Sequence, residues 1–154
     1  MSVVEDRLRE LGLEVPAVPA PVAAYIPAVR TGSYVFTSGQ LPLRDGQLLV
    51  TGKVGGEVSV EEGHKRARII GLQLLSAMKM AVGSLDRIDT VLKMLCMVNA
   101  VPDFKDHPKV ADGMSNLFVE VFGENGRHAR SAVGMGSLPN QISVEIEGVI
   151  SIKA

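Results

Sequence analysis

One cysteine, Cys96, stands in 154 residues. That excludes an intramolecular disulfide and a multi-cysteine zinc site, and it suits a reducing compartment. An excess of either charge is also missing, with 16 basic residues facing 17 acidic ones for a net of −1. Binding nucleic acid by displacing counterions from phosphates needs a basic excess, so nucleic acid is not an expected partner. Aromatic residues make up only 4 % of the chain, too few to stack a single strand of bases. Long apolar runs are absent as well. The longest uncharged stretch, Val15 to Val29, carries four prolines and is too short to span a membrane. Acidic residues precede it and no basic segment leads, so it does not read as a secretory signal. The three histidines, His64, His107 and His128, are scattered without ligand spacing, and no metal is expected. The expectation is a soluble, cytoplasmic protein.

What is present supports a packed core. Hydrophobic residues are 46 % of the chain and charged ones 21 %, at a length that suits one domain over residues 1–154. Residues 1–20 form an N-terminal extension. Val4, Leu8 and Leu11 recur there at helical spacing, and Pro16, Pro19 and Pro21 follow as an extended connector. Val22–Val29 and Tyr34–Ser38 read as strands joined by a turn at Arg30-Thr31-Gly32-Ser33, and Leu48-Leu49-Val50 as a short third strand. Ser59 followed by Glu62 is a capping-box pattern. The helix it opens carries the stripe Ala67, Ile70, Leu74, Ala77 and Ala81, has Gly71 for close approach to a sheet, and stops at Gly83. Thr90–Ala100 is an apolar strand. A second helix runs from Pro108 to Gly123 on Val110, Met114, Leu117, Phe118 and Val121. Ser131–Leu138 and Ile142–Ile152 close the chain as strands about a turn at Pro139-Asn140, which is expected to pair them. The order β-β-(β)-α-β-α-β-β is an α+β sandwich with two helices on one face of a mixed sheet.

The other face needs a cover. Ile142, Val144, Ile146, Ile150 and Ile152 point one way in the last strand, and Ser143, Glu145, Glu147, Val149 and Ser151 the other. In the strand at 91–98, Val91, Leu95 and Met97 share a side with Lys93, while Leu92, Met94, Cys96 and Val98 occupy the opposite side. A strand apolar on both sides is buried on both sides. Another subunit is the economical cover, and the N-terminal helix is the alternative.

Candidate chemistry concentrates near the C-terminus. Arg130, beside a loop and ahead of Ser131, reads either as a bidentate carboxylate fork or as a surface arginine in a salt bridge. Glu145 and Glu147 project from the uncovered face. Burial there would raise a carboxyl pKa, as acid/base work requires, or mark a structural interface pair. Cys96 alternates with Met94 and Val98 and reads as a packed thiol. His64 and His107 read as surface or loop residues, which leaves His128 as the histidine nearest a candidate site. Gly52-Lys53-Val54-Gly55-Gly56 lacks the Ser or Thr of a phosphate loop and is set aside. Ser38-Gly39-Gln40 ends a strand where glycine lets a ligand approach the backbone.

Tyr34-Val-Phe-Thr-Ser-Gly-Gln40, Arg130-Ser-Ala-Val133 with Leu138-Pro139, and Val144-Glu-Ile-Glu147 together resemble the YjgF/YER057c/UK114 (RidA) family. The resemblance covers about residues 20–152. It implies a chorismate-mutase-like fold, a homotrimer with ligand clefts between subunits, and cofactor-free hydrolysis of 2-imino or 2-enamino acids to 2-keto acids. By the same resemblance, Arg130 grips the substrate carboxylate and Glu145 orients or activates water. The Ser38–Gly39 backbone and Tyr25 line the cleft and Ala132 contributes backbone contacts. His128, two residues before Arg130, is a candidate binding residue by its position. Departures mark a divergent branch: Ala132 stands where the best-known deaminases have cysteine, and His128 where a proline or small residue is usual. Asp112-Gly113 and Ser115 replace an asparagine-containing helix start. The other readings are a carboxylate-binding regulatory module without turnover and a ribonuclease, the latter disfavoured by charge and aromatic content.

Overall fold

The computed structural model describes residues 2–18, 23–49 and 51–153. Pro19, Pro21 and Val22 of the expected connector and first strand, and Val50 of the third, lie outside them. Helix α1 (Val3–Glu10) starts on Ser2, whose hydroxyl accepts from the Glu5 N–H. Strands β1 (Ala28–Thr31) and β2 (Tyr34–Thr37) form a hairpin about Gly32, at φ 56°. The strand begins later than its apolar run because Pro27 has no N–H for a ladder. The Ile26 and Pro27 carbonyls instead receive the Ser38 hydroxyl at 2.7 Å and the Ser38 N–H at 2.8 Å. Leu43–Arg44 (β3) and Gln47–Leu48 (β4) pair only with each other, so the expected third strand is half of a separate ribbon.

Helix α2 (Val60–Val82) opens as its cap predicts, with Ser59 accepting from the Glu62 N–H at 3.1 Å, and closes on Gly83 at φ 83°. Strand β5 (Ile88–Asn99), helix α3 (His107–Phe122), strand β6 (Ala129–Met135) and strand β7 (Val144–Ile152) complete the chain. Ile70, Leu74 and Met78 of α2 and Met114, Leu117 and Phe118 of α3 are fully buried. So are Met94, Cys96, Ile146 and Ile150 of the sheet beneath them. The fold is therefore α+β, with α2 and α3 on one face of a mixed sheet. Gly71 serves helix–helix rather than helix–sheet approach: a β carbon there would meet Leu117 Cδ2 at 2.7 Å. Gly113 does the same from the other side, over the His64 carbonyl.

The strand order is β1-β2-β7-β5-β6. The two C-terminal strands are therefore not neighbours, contrary to the expectation from the Pro139-Asn140 turn. β5–α3–β6 is a parallel crossover that leaves β6 at the edge, and β7 enters between β2 and β5, antiparallel to both. The slot between two strands demands burial. β7 supplies it with Val144, Ile146, Ile150 and Ile152, whereas β6 carries Arg130 and Gly134 and suits an edge. A register shift between Val91 and Lys93 also turns Val91 to the helix side with Met94, Cys96 and Val98, so it does not share a side with Leu95 and Met97.

The opposite face stays open. Val29, Tyr34, Phe36 and Val133 are exposed on it, with Leu95, Met97 and Val149 partly so. Helix α1 does not cover it. Its Glu5 pairs with Lys79 of α2 at 2.5 Å, its Arg7 donates to the Glu120 carbonyl of α3, and its first N–H groups meet Asp86, all on the helix layer. No helix among the described residues is long and apolar enough to cross a membrane.

Candidate active site

Two groups of polar residues stand on opposite faces of the sheet. The first is built on β6 and α3. Arg130 is the register partner of Met94, which turns it toward the helices. Asp112 and Ser115 lie one helical turn apart on α3 and meet it there. Arg130 Nη1 donates to Asp112 Oδ1 at 2.8 Å and to Ser115 Oγ at 3.0 Å. That single nitrogen carries every Arg130 side-chain hydrogen bond among the described residues, so the Nε–Nη2 edge stays available for a bidentate acceptor.

The chain of hydrogen bonds continues to His128 and fixes its tautomer. His128 Nδ1 lies 2.7 Å from the Gly126 carbonyl, which can only accept, so Nδ1 carries the proton. Nε2, 2.9 Å from Ser115 Oγ, then accepts the hydroxyl proton, while the oxygen receives Arg130. Burial lowers the His128 pKa against the pull of the Gly126 bond, and the Arg130 charge lowers it further. A neutral imidazole results, acting on the guanidinium through the serine.

The second group is built on β7 and the end of β2. Glu145 is the register partner of Met97 and faces the open side. Gln40 bridges to Ile146, with its N–H donating to the Ile146 carbonyl at 2.8 Å, and this sets Gly39 against the Glu145 carboxylate. A β carbon on Gly39 would overlap that carboxylate, so glycine is what lets the carboxylate hold this place. Tyr25, exposed, sits beside the Ile26 carbonyl that holds Ser38. Burial raises the Glu145 pKa, and the like charge of Glu147 raises it further.

The structure thus brings Glu145, Ser38, Gly39 and the Tyr25 segment together, and separately Arg130 and His128. Ala132 lies two residues along β6 on the Arg130 side, partly buried opposite Cys96. Within one chain Arg130 and Glu145 do not hold each other ionised: β5 separates their strands and they face opposite ways, and the counter-charge of Arg130 is Asp112. Asp112 and Ser115 are not legible in the sequence as partners of Arg130. Their signal was two polar residues at i, i+3 beside an apolar stripe. Burial pushes the Cys96 thiol up to about 12, which makes it a packed, unreactive group. No cluster of three or more metal-ligating side chains occurs among the described residues.

A family model described as "YjgF/chorismate mutase-like, putative endoribonuclease" matches residues 5–144. The chain is 41 % identical to protein TCP17 of Trypanosoma cruzi across 99 % of both chains. It is 29 % identical to a 2-iminobutanoate/2-iminopropanoate deaminase of Dermatophagoides farinae, covering 92 % of this chain and 95 % of that one. Among solved structures, a protein of unknown function from Agrobacterium tumefaciens superposes at a TM-score of 0.90 with 40 % identity, covering 99 % of this chain and 93 % of that one. Escherichia coli TdcF with bound serine superposes at 0.61 with 26 % identity, covering 89 % and 94 %.

Proposed function

The chain belongs to the YjgF/chorismate mutase-like family, and on that premise we propose that it hydrolyses 2-imino acids, or their 2-enamino tautomers, to 2-keto acids in clefts between copies of itself. The observation that carries this reading is Glu145. It is a half-buried carboxylate on an uncovered face, seated against Gly39, and burial raises its pKa above the ordinary carboxylate value. The deaminase name of the mite relative and the serine bound to TdcF support a small amino-acid-like ligand with a carboxylate.

Arg130 receives that carboxylate on its free Nε–Nη2 edge. Asp112 and Ser115 steady the guanidinium from behind and leave it charged. Glu145 of another copy takes a proton from water as the water oxygen bonds to the imine carbon, and the C=N pair moves to nitrogen. The proton returns to nitrogen to give a carbinolamine. Glu145 then passes the hydroxyl proton to the amine, the oxygen pair closes the keto C=O as the C–N pair leaves on nitrogen, and ammonia departs. No cofactor enters the balance. His128 stays neutral and orients Ser115.

The separation of the two groups supports an assembly of copies. Surfaces on opposite faces of one chain can meet only between copies, and head-to-tail contact of unlike surfaces forms a ring where the rotation between copies closes. A homotrimer is proposed, its open faces covered by the exposed apolar residues of β1, β2 and β6. Light scattering at micromolar concentration is expected to give three times the chain mass, and a monomer overturns it. For the reaction, a freshly generated 2-imino acid is mixed with the protein and keto-acid release is followed against the spontaneous rate. Acceleration lost in Arg130→Ala supports the deaminase. Tight binding of 2-ketobutyrate without acceleration replaces it with a carboxylate-binding regulatory module.

A further inference from the structure

The α3–β6 layer carries a second cleft that the proposed reaction does not use. Because α3 is the crossover between the parallel strands β5 and β6, it runs antiparallel to β6. Its middle therefore meets Arg130, and its first turn meets the far end of the strand. There a cleft of about 530 Å³ opens between Lys53, Val101, Phe104, His107, Met135 and the glycines flanking Met135. Gly134 is four residues from Arg130, about 13 Å at the rise of a strand. The two places are separate.

Lys53 is fixed in this cleft by neutral acceptors, without a carboxylate on its ammonium. Its ammonium donates to Asn99 Oδ1 at 2.8 Å and to the Gly136 carbonyl at 2.7 Å. Both acceptors are uncharged. They take two of three ammonium protons and none of the charge. The nearby Glu57 carboxylate accepts from the Lys53 backbone N–H at 2.9 Å and feels the Lys53 charge, but no carboxylate forms an ion pair with Nζ among the described residues. Asn99 is fully buried and is itself held through its Nδ2 by the Ile142 carbonyl at 3.1 Å, so the ammonium is aimed by a rigid partner. His107 stands on the other wall, its ring edge-on to Phe104 at 4.9 Å and its Nε2 over Gly134, where a β carbon would come within 2.6 Å. Neither ring nitrogen of His107 has a hydrogen-bond partner among the described residues. A partly buried cation with a free proton, an imidazole with free nitrogens and an apolar wall of Val101, Phe104 and Met135 form one concave surface.

We infer that this cleft binds a small organic acid, with its carboxylate on Lys53 and His107 and its apolar body against Phe104, Val101 and Met135. The site stands whether or not the Glu145 cleft hydrolyses imines. Benzoate is the probe, and benzamide, of the same shape without the charge, is its control. Followed by NMR of the His107 ring and the Met135 methyl, benzoate is expected to shift both signals saturably and to bind at least about tenfold more tightly than benzamide, the span of one charge-assisted contact. Lys53→Met weakens benzoate by at least about tenfold, and Arg130→Ala leaves its effect on His107 unchanged. Equal binding of benzoate and benzamide to the unaltered protein overturns the site, even if the Lys53 variant fails to fold. So does a benzoate response of His107 that disappears in Arg130→Ala, which would place the acid on Arg130.

Discussion

The Arg130 and Glu145 sides of the sheet differ in how their charges are kept. Arg130 has a carboxylate, a hydroxyl and, through that hydroxyl, an imidazole arranged behind one of its nitrogens. Glu145 has a glycine backbone on one side, apolar strand neighbours on others, and a second carboxylate at i+2. The first charge is stabilised and held still. The second is left short of solvation. Positioning and reactivity are separate tasks that ask for opposite surroundings: a rigid grip for the carboxylate, and a proton acceptor whose charged form is not too comfortable.

That contrast can be broken by kinetics. Glu145→Gln is expected to have the largest effect, lowering kcat for imine hydrolysis by about 100-fold or more, the range for loss of a general base, while leaving 2-ketobutyrate binding nearly intact. Arg130→Ala comes next. Losing a charge-assisted fork weakens 2-ketobutyrate binding by about tenfold or more in calorimetry, with the larger part of the kinetic loss in KM. Variants that each lower kcat and binding together would erase the division between the two sides.

A pair of glycines sharpens it. Both Gly39 and Gly113 lie where a β carbon would overlap a neighbour, but the neighbours differ. Over Gly113 it is the His64 backbone, which cannot yield without parting α2 from α3. Gly113→Ala is expected to cost at least about 1 kcal/mol in urea unfolding, as overpacked cores do. Over Gly39 it is the end of the Glu145 side chain, which can swing away. Gly39→Ala should leave the unfolding midpoint almost unmoved and lower kcat by displacing the carboxylate. Equal destabilisation by the two would mean that Gly39 is a packing residue.

Sequence signals were strongest where structure is local. Ser59 with Glu62 marked the start of α2, Gly83 its end, and the strict alternation of β7 marked both its buried side and the projection of Glu145. Pairing across the sheet was not legible, because the same alternation serves any neighbour. The turn at Pro139-Asn140 joins β6 to β7 in the chain, yet β7 was drawn between β2 and β5 by its need for burial on both flanks. The bulge near Val91 was invisible for a related reason: one extra residue inverts the phase without altering composition. At the site, Ser38, Gly39 and Glu145 were readable as a group through their motifs. The partners of Arg130 were not, since Asp112 and Ser115 reach it only through the packing of α3 on β6.

The smallest expected effect is a shift in pH. Burial is the main cause of the raised Glu145 pKa, and the charge of Glu147 adds to it. A folded protein that holds this proton more tightly than the unfolded chain binds more protons between the ordinary value of 4.5 and the raised one. Stability therefore falls as pH rises through that window and levels off above it, and Glu145→Gln removes this slope. The acid limb of the kcat profile is displaced upward from the ordinary value of 4.5 for the same reason, because only ionised Glu145 accepts the water proton. Glu147→Gln takes away the like charge but not the burial. Its acid limb is expected to move to lower pH, part of the way toward 4.5, with the plateau rate little changed. An acid limb that stays in place shows that burial alone raises Glu145. A limb that moves up assigns Glu147 the opposite role, as a group that helps Glu145 ionise.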